Sequence, residues 1–297
     1  MDQFSEEVAT GNRFEFGKNW NGFLSVLNEA RIESAKRSLK TILNVDSLAG
    51  RSFLDIGCGS GLFSLAARRM GAQVHSFDFD PQCVQCATLL RDKFFPNDDG
   101  WTIECGSVLD QQYVHALGQF DIVYSWGVLH HTGAMYEALE NATTPVHQGG
   151  QLFISIYNDQ GVKSKIWTQI KKFVCSMPTV LRFPLILILV IALEPLTFLG
   201  SLLLLKPHRY FQKRFPYAKH RGMSWWHDAI DWLGGYPFEV AKPEEIVHFY
   251  RERGFILDWL RCVGARLGCN EFVFSNQSEL LQKPIHQDFE VPSVPAA

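Results

Sequence analysis

The stretch "SFLDIGCGSGLFSLAA", Ser52 to Ala67, decides how this chain folds. A short apolar run leads into Asp55-Ile56-Gly57-Cys58-Gly59-Ser60-Gly61, and a helix is predicted immediately afterwards. Glycines at the end of a strand let the backbone turn sharply and come close to a ligand. The helix that follows offers unpaired N–H groups to an anion. A nucleotide-binding first crossover is therefore expected. The dinucleotide fingerprint GxGxxG needs Gly or Ala at position 62, where Leu62 stands. The spacing here is GxGxG, with Asp55 two residues ahead of the first glycine, and it argues for a ligand other than NAD.

Outward from that turn, strands alternate with helices. "QVHSFDFD" reads as a second strand, and "PQCVQCATLLRDKF" as a helix with Pro81 at its start. "WTIECGSVLD" and "FDIVYSWG" read as strands three and four, "MYEALENATTPV" as a helix and "GGQLFISIYN" as strand five. Apolar strands joined by helical crossovers imply a doubly wound, mostly parallel α/β sheet covered on both faces. Late in the chain "KPEEIVHFYRERG" predicts a capped helix, and "FILDWLRCV" and "CNEFVFS" a closing antiparallel hairpin. The resulting division is a helical N-terminal cap over 1–49, with Ile32, Ala35, Leu39 and Leu43 near one helix face, and a Rossmann-like core over 50–158. A basic, hydrophobic helical insertion follows over 159–235, then completion of the sheet over 236–275 and a disordered tail over 276–297.

On the motif "FLDIGCGSGLFSLAA" the chain resembles the class I S-adenosylmethionine-dependent methyltransferases, over about residues 50–157 and again near 236–275. The resemblance implies that Asp55, Gly57, Cys58, Gly59 and Gly61 hold the methionine half of S-adenosylmethionine. It makes Asp78 the acid that takes the ribose hydroxyls, which agrees with its place twenty-one residues after Gly57, at the adjacent strand end. Phe79 would flank the adenine, and Ser107 and Val108 would read its amino group. The family often carries Asp where Ser107 stands, so adenine would be read more weakly or through backbone here. Ser125 and Trp126 would line the methionine side.

A sulfonium methyl is already activated, so alignment and exclusion of water carry much of the chemistry. A base is needed only where the nucleophile must lose a proton. "GVLHHTG" offers His130 and His131 for that role. The similar ubiquinone-pathway O-methyltransferases carry E-x-x-E-H at this place, thought to bind a metal. Here Gly127, His130 and His131 occupy those positions and no metal is expected. Tyr157 and Asn158, ending strand five, are pocket candidates. In "SWWHDAIDWLGG", His227 and Asp228 are an acid–base candidate pair, and Trp225 and Trp226 would cover an apolar substrate or pack at an interface. "FEFGKNW", Phe14 to Trp20, is a candidate lid over the cofactor.

The chain has 297 residues and a formal charge of −3, so no global basic field recruits nucleic acid. Seven cysteines show no framework spacing; Cys83 and Cys86 read as small buried residues on a helix face. The acidic, polar N-terminus is no secretory signal, and a cytoplasmic setting is expected. Residues 160–221 hold eleven Lys and Arg against one acid, Glu194, a net +10 that leaves −13 on the remainder. Inside this segment lies "PLILILVIALEPLTFLGSLLLL", Pro184 to Leu205. Its length suits a membrane crossing. Glu194-Pro195 at its centre, basic residues at both ends and the need to finish one sheet on one side of a bilayer argue for a membrane-docking hairpin instead. A buried cap or homodimer interface is the alternative. The expected protein is a methyltransferase, peripheral on the inner face of a membrane, that O-methylates an apolar or lipid-linked small molecule. Its rivals are an enzyme for a soluble sugar or peptide and a non-catalytic cofactor-binding scaffold.

Overall fold

The computed structural model describes residues 3–178, 180–182, 184–189 and 233–278. Three helices come first: α1 (Gln3–Ala9), α2 (Phe16–Leu24) and α3 (Glu29–Leu43). Asn28 caps α3 by accepting from the Arg31 N–H at 3.1 Å, and Asn44 closes it in the left-handed conformation. The core alternates β1 (Ser52–Ile56), α4 (Leu62–Arg69), β2 (Gln73–Asp78), α5 (Pro81–Phe94), β3 (Trp101–Cys105), α6 (Gln111–Ala116), β4 (Phe120–Trp126), α7 (Met135–Asn141), β5 (Val146–Tyr157) and α8 (Val162–Ser176). After the basic segment come α9 (Pro243–Arg251), β6 (Phe255–Arg261) and β7 (Cys269–Asn276).

The strands form one seven-stranded sheet in the order β3-β2-β1-β4-β5-β7-β6. Neighbours from β3 through β5 run parallel, and β7 lies antiparallel between β5 and β6. The doubly wound sheet with an antiparallel C-terminal hairpin is thus as the alternation of sequence patterns predicts. One element is absent from that reading: α6, which Asp110 starts by accepting from the Tyr113 N–H at 3.0 Å. Its six residues, QQYVHA, are too few for a helical period to stand out, and "GSVLD", read as part of strand three, lies beyond the end of β3 at Cys105.

Each face of the sheet has its own core. Phe53, Ile122, Tyr124, Phe153 and Val273 pack against α3 and α4, including the predicted Ile32, Ala35, Leu39 and Leu43. Leu54, Ile56, Val123, Ile154 and Phe272 pack on the other face against α7 and α9. A smaller cluster joins Phe14, Val174, Cys175, Ile186 and Leu233, which ties the N-terminal segment to α8. Cys83 and Cys86 are buried on α5.

Beneath the glycine turn runs a chain of buried polar groups. The Trp101 indole N–H donates to Ser76 Oγ at 2.9 Å, Ser76 donates to Ser64 Oγ at 2.8 Å, and Ser64 donates to the Asp55 carboxylate. The chain crosses from β3 through β2 and α4 to β1, so it sets the height of α4 above the sheet. Ser76→Ala leaves the indole N–H buried without its acceptor. We expect a loss of about 1–3 kcal/mol in urea denaturation, with the slope unchanged.

Candidate active site

The turn between β1 and α4 is stitched to β2: the Gly57 and Cys58 N–H groups both donate to the Phe77 carbonyl, at 2.8 and 3.1 Å. Gly57 has φ +73°, and a Cβ there would lie 2.4 Å from Val128 Cγ1. Only glycine satisfies both the backbone and the space. Val128 begins the loop after β4, so this contact brings the two strand ends together. Asp55 is buried under the turn, with Ser64 as its hydrogen-bond donor. Burial pushes its carboxyl up to about 7, against the opposing effect of the Ser64 bond.

Asp78 stands half-buried at the end of β2. One oxygen accepts the Gly59 N–H and the other the Asp80 N–H, both at 2.9 Å. Burial raises its pKa to about 6, and those backbone bonds oppose the rise. A carboxylate oxygen has two acceptor sites, so each keeps one for a ribose hydroxyl. Burial also holds the Cys58 thiol far above its ordinary range. Phe79 meets Phe4 edge-on at 5.7 Å and lies under the Arg13 guanidinium at 4.9 Å. Ser107 accepts from the Leu109 N–H at 3.2 Å, and the buried Val108 gives its carbonyl to Asn141 at 2.9 Å. Ser125 is buried and donates to the Ile56 carbonyl at 3.1 Å; the Trp126 indole donates to Glu271 at 2.8 Å. The predicted cofactor residues therefore share one edge of the sheet, at the ends of β1 to β4, and the glycine turn with Asp78 beside it fits the cofactor implied by the motif.

The N-terminal segment lies against this edge. The Gly17 N–H donates to Asp80 at 2.7 Å, and a Cβ on Gly17 would fall 2.4 Å from Gln82 Cβ. The Trp20 indole packs beside Gly59, and Phe16 meets the His131 ring at 5.1 Å. Arg13 pairs with Glu7 at 2.5 Å and donates to the His131 and Thr132 carbonyls at 3.1 and 3.4 Å. Asp80 and Arg13 were not singled out from the sequence, and Gly17 only as part of the Phe14 to Trp20 lid candidate. Asp80 had a readable signal, since an Asp before Pro81 is a helix cap, and it does accept from Gln82 at 2.9 Å. Arg13 and Gly17 act through contacts more than sixty residues away in the chain.

His130 and His131 form a short 3₁₀ turn after β4, and both are buried. Their rings lie 4.5 Å apart, with Tyr157 at 4.1 Å from His130 and 5.5 Å from His131. Burial and the Lys171 charge push His131 down to about 3, and burial carries His130 far below its usual value. Both shifts disfavour the charged ring and so count against either imidazole as a proton acceptor near neutral pH. His131 Nδ1 donates to the Pro237 carbonyl at 2.6 Å, which leaves Nε2 as an acceptor. The His130 nitrogens have no partner at hydrogen-bond geometry among the described residues, although the Ser155 backbone is near enough to favour the charged ring. Two further residues complete the cluster: Lys171 of α8, fully buried, and Phe238, whose ring meets Tyr157 at 4.9 Å. Asn158 is committed to the β6–β7 turn, donating to the Gly264 carbonyl at 2.7 Å and accepting from Asn270 at 3.1 Å. Trp225, Trp226, His227 and Asp228 lie outside the described residues, as do 190–232 in general. The described residues hold no group of three or more metal-ligating side chains.

A family model described as a methyltransferase domain matches residues 27–255. The ubiquinone biosynthesis O-methyltransferase of Xanthomonas euvesicatoria pv. vesicatoria is 32% identical over 165 residues, 53% of this chain and 60% of that protein. That of Pseudomonas aeruginosa is 30% identical over 112 residues, 37% of this chain and 46% of that protein. The chain thus spans 60% or less of the length of these relatives. Among solved structures, PKMT2 of Rickettsia typhi in complex with AdoHcy has a TM-score of 0.51 at 13% identity, covering 82% of this chain and 53% of that one. A chain from the complex of the Haloferax volcanii Trm112 methyltransferase activator with its methyltransferase has a TM-score of 0.50 at 12% identity, covering 89% and 97%. At these identities the two structures show the fold.

The raised carboxyls give a stability prediction. An unfolded Asp ionises near 3.9, whereas folded Asp55 resists up to about 7. Its contribution is fully present below about pH 4 and is lost as pH rises to 7, a difference of up to about 4 kcal/mol. The two neutral histidines act in the opposite sense, since their stabilisation is lost as pH falls below 6.5. The contrast between wild type and Asp55→Asn isolates the carboxyl. Relative to the variant, the wild type should lose stability steadily between pH 4 and 7 in chemical denaturation.

Proposed function

The chain belongs to the methyltransferase-domain family, and from that premise we propose that it is an S-adenosylmethionine-dependent enzyme that O-methylates an apolar or lipid-linked acceptor at an anionic membrane surface. The observation that carries the cofactor half is the Gly57–Gly61 turn with the Asp78 carboxylate hydrogen-bonded to its Gly59 N–H at 2.9 Å. Turn N–H groups and a strand-two acid within one hydrogen bond of each other suit a ligand with an anionic end and a ribose. Phe79 would provide a flat apolar wall, and the segment from Phe14 to Trp20, with the Trp20 indole beside Gly59 and Gly17 bonded to Asp80, would exclude water as a lid. The cofactor, when bound, supplies the activated methyl group. The chain's own residues would hold it, orient the acceptor at the ends of β4 and β5, and keep the site dry.

The membrane half of the reading rests on α8. Val162, Ile166 and Phe173 are 71, 54 and 57% exposed, and their spacing puts them on one helical face. Lys163, Lys165 and Lys172 are exposed beside them, and Val180, Leu181 and Ile188 extend the apolar surface. No acid lies within α8. An apolar face flanked by lysines suits insertion into the headgroup region of an anionic bilayer, at about 1 kcal/mol per lysine near the surface. Among the described residues no helix is long and apolar enough to cross a membrane. Most of Pro184 to Leu205, the hairpin read from sequence, lies outside them. The ubiquinone-pathway relatives favour a phenolic acceptor.

Transfer of labelled methyl from S-adenosylmethionine into a lipid extract is the direct test: label in the extract supports the reading, and label only in soluble acceptors contradicts its acceptor class. Asp78→Ala should weaken S-adenosylhomocysteine binding by about 2–3 kcal/mol in calorimetry, because charge-assisted bonds to the ribose are lost. Ile166→Ser with Phe173→Ser should release the protein from phosphatidylserine vesicles in co-sedimentation while its melting temperature holds. A soluble dimer would instead stay in the supernatant in both forms.

A further inference from the structure

We propose that Arg13 is a positioning residue for the cofactor: it fastens the N-terminal segment across the ends of β2 and β4, and its charge supports the acid that ends β2. It would thereby govern how long S-adenosylmethionine and its demethylated product stay bound. This deepens the methyltransferase reading above and rests on it. Arginine presents its donors in a rigid planar fork. Here every prong has a partner. Nε pairs with Glu7 of α1 at 2.5 Å, Nη1 donates to the His131 carbonyl at 3.1 Å and Nη2 to the Thr132 carbonyl at 3.4 Å. The face of the fork lies over Phe79, 4.9 Å from the ring centre, and Phe79 in turn meets Phe4 of α1 edge-on at 5.7 Å. Only 12% of the Arg13 side chain is exposed. One side chain thus joins α1, the expected adenine wall and the turn after β4. The residues that follow continue the strap: the Phe14 N–H donates to the Tyr236 carbonyl at 2.9 Å and the Gly17 N–H to Asp80 at 2.7 Å.

The charge has its own use. Asp78 accepts two ribose hydroxyls best as a carboxylate, and burial works against that form. The Gly59 and Asp80 N–H groups support it. The ionisable groups that act on Asp78, or that it acts on, are Asp55 of β1, Cys58 in the glycine turn, Asp80, Cys83 and Cys86 beside α5, and Arg13. Of these Arg13 alone is positive, and it favours the carboxylate. Removing that cation makes Asp78 take up its proton at a higher pH, so ribose binding weakens earlier on acidification. The two roles separate by substitution. Lysine keeps the charge on a flexible stem but loses the fork, whereas methionine keeps the apolar stem and loses both.

The test uses the full-length protein and labelled S-adenosylhomocysteine, chased from its site by excess unlabelled compound. At alkaline pH, Arg13→Met and Arg13→Lys should both release it at least about tenfold faster than wild type, since the fork's bonds are lost in each. Binding measured against pH separates the charge. Wild-type affinity should fall as pH drops through about 6, where Asp78 protonates. That midpoint should move to higher pH in Arg13→Met and stay in place in Arg13→Lys. A residue that only stabilised the fold would lower the melting temperature and leave both readouts unmoved. In the wild type, S-adenosylhomocysteine should slow hydrogen exchange of the Gly17 amide by about tenfold or more, because the strap closes on the bound ligand. Release from Arg13→Met within about twofold of wild type, a midpoint that does not move in that variant, or an unprotected Gly17 amide would each overturn the proposal. The exchange measurement decides even if the variants do not fold. Failure of S-adenosylhomocysteine to bind the wild type would instead remove the methyltransferase reading itself.

Discussion

The contact between Gly57 and Val128 is the constraint on which the rest of the site depends. It closes a space that no side chain at position 57 could share, and so joins the strand-one turn to the loop after strand four. The turn's N–H groups bond to Phe77 and Asp78, which puts the strand-two acid within reach of the same ligand. The loop after strand four carries the two histidines to the end of strand five. Turn, acid and histidine cluster are three consequences of one close backbone approach.

Electrostatics divide this edge in two. At the cofactor end, Asp55, Asp78 and Asp80 have carboxyls raised by burial. Beside the turn after β4, burial lowers the proton affinity of His130 and His131, with Lys171 acting the same way on both and Arg13 on His131. Arg13 links the two ends, stacked on Phe79 and bonded to the histidine turn.

The parts of this architecture that were legible in the sequence are those specified by neighbouring residues. Strand alternation, the GxGxG turn and the acid ending strand two each depend on short-range patterns, and all three stand where the sequence pattern predicts. The helix α6 was lost because six residues carry little periodicity. Lys171 was counted among the basic residues of a membrane-facing segment, because nothing local distinguishes a buried lysine from Lys163 or Lys172. Gly17 read as part of a candidate lid, but its need for glycine comes from Gln82 and Asp80. His130 and His131 were legible as polar residues in the right loop. Their low proton affinity was not, since it comes from burial and from a lysine some forty residues later.

The central claim is that the glycine turn and Asp78 form an S-adenosylmethionine site and not a dinucleotide site. Calorimetric titration of the full-length protein with S-adenosylmethionine and, separately, with NAD tests it most directly. The account predicts saturable binding of S-adenosylmethionine and none of NAD, in keeping with Leu62 at the third fingerprint position. Tighter binding of NAD, or no binding of S-adenosylmethionine, would contradict it.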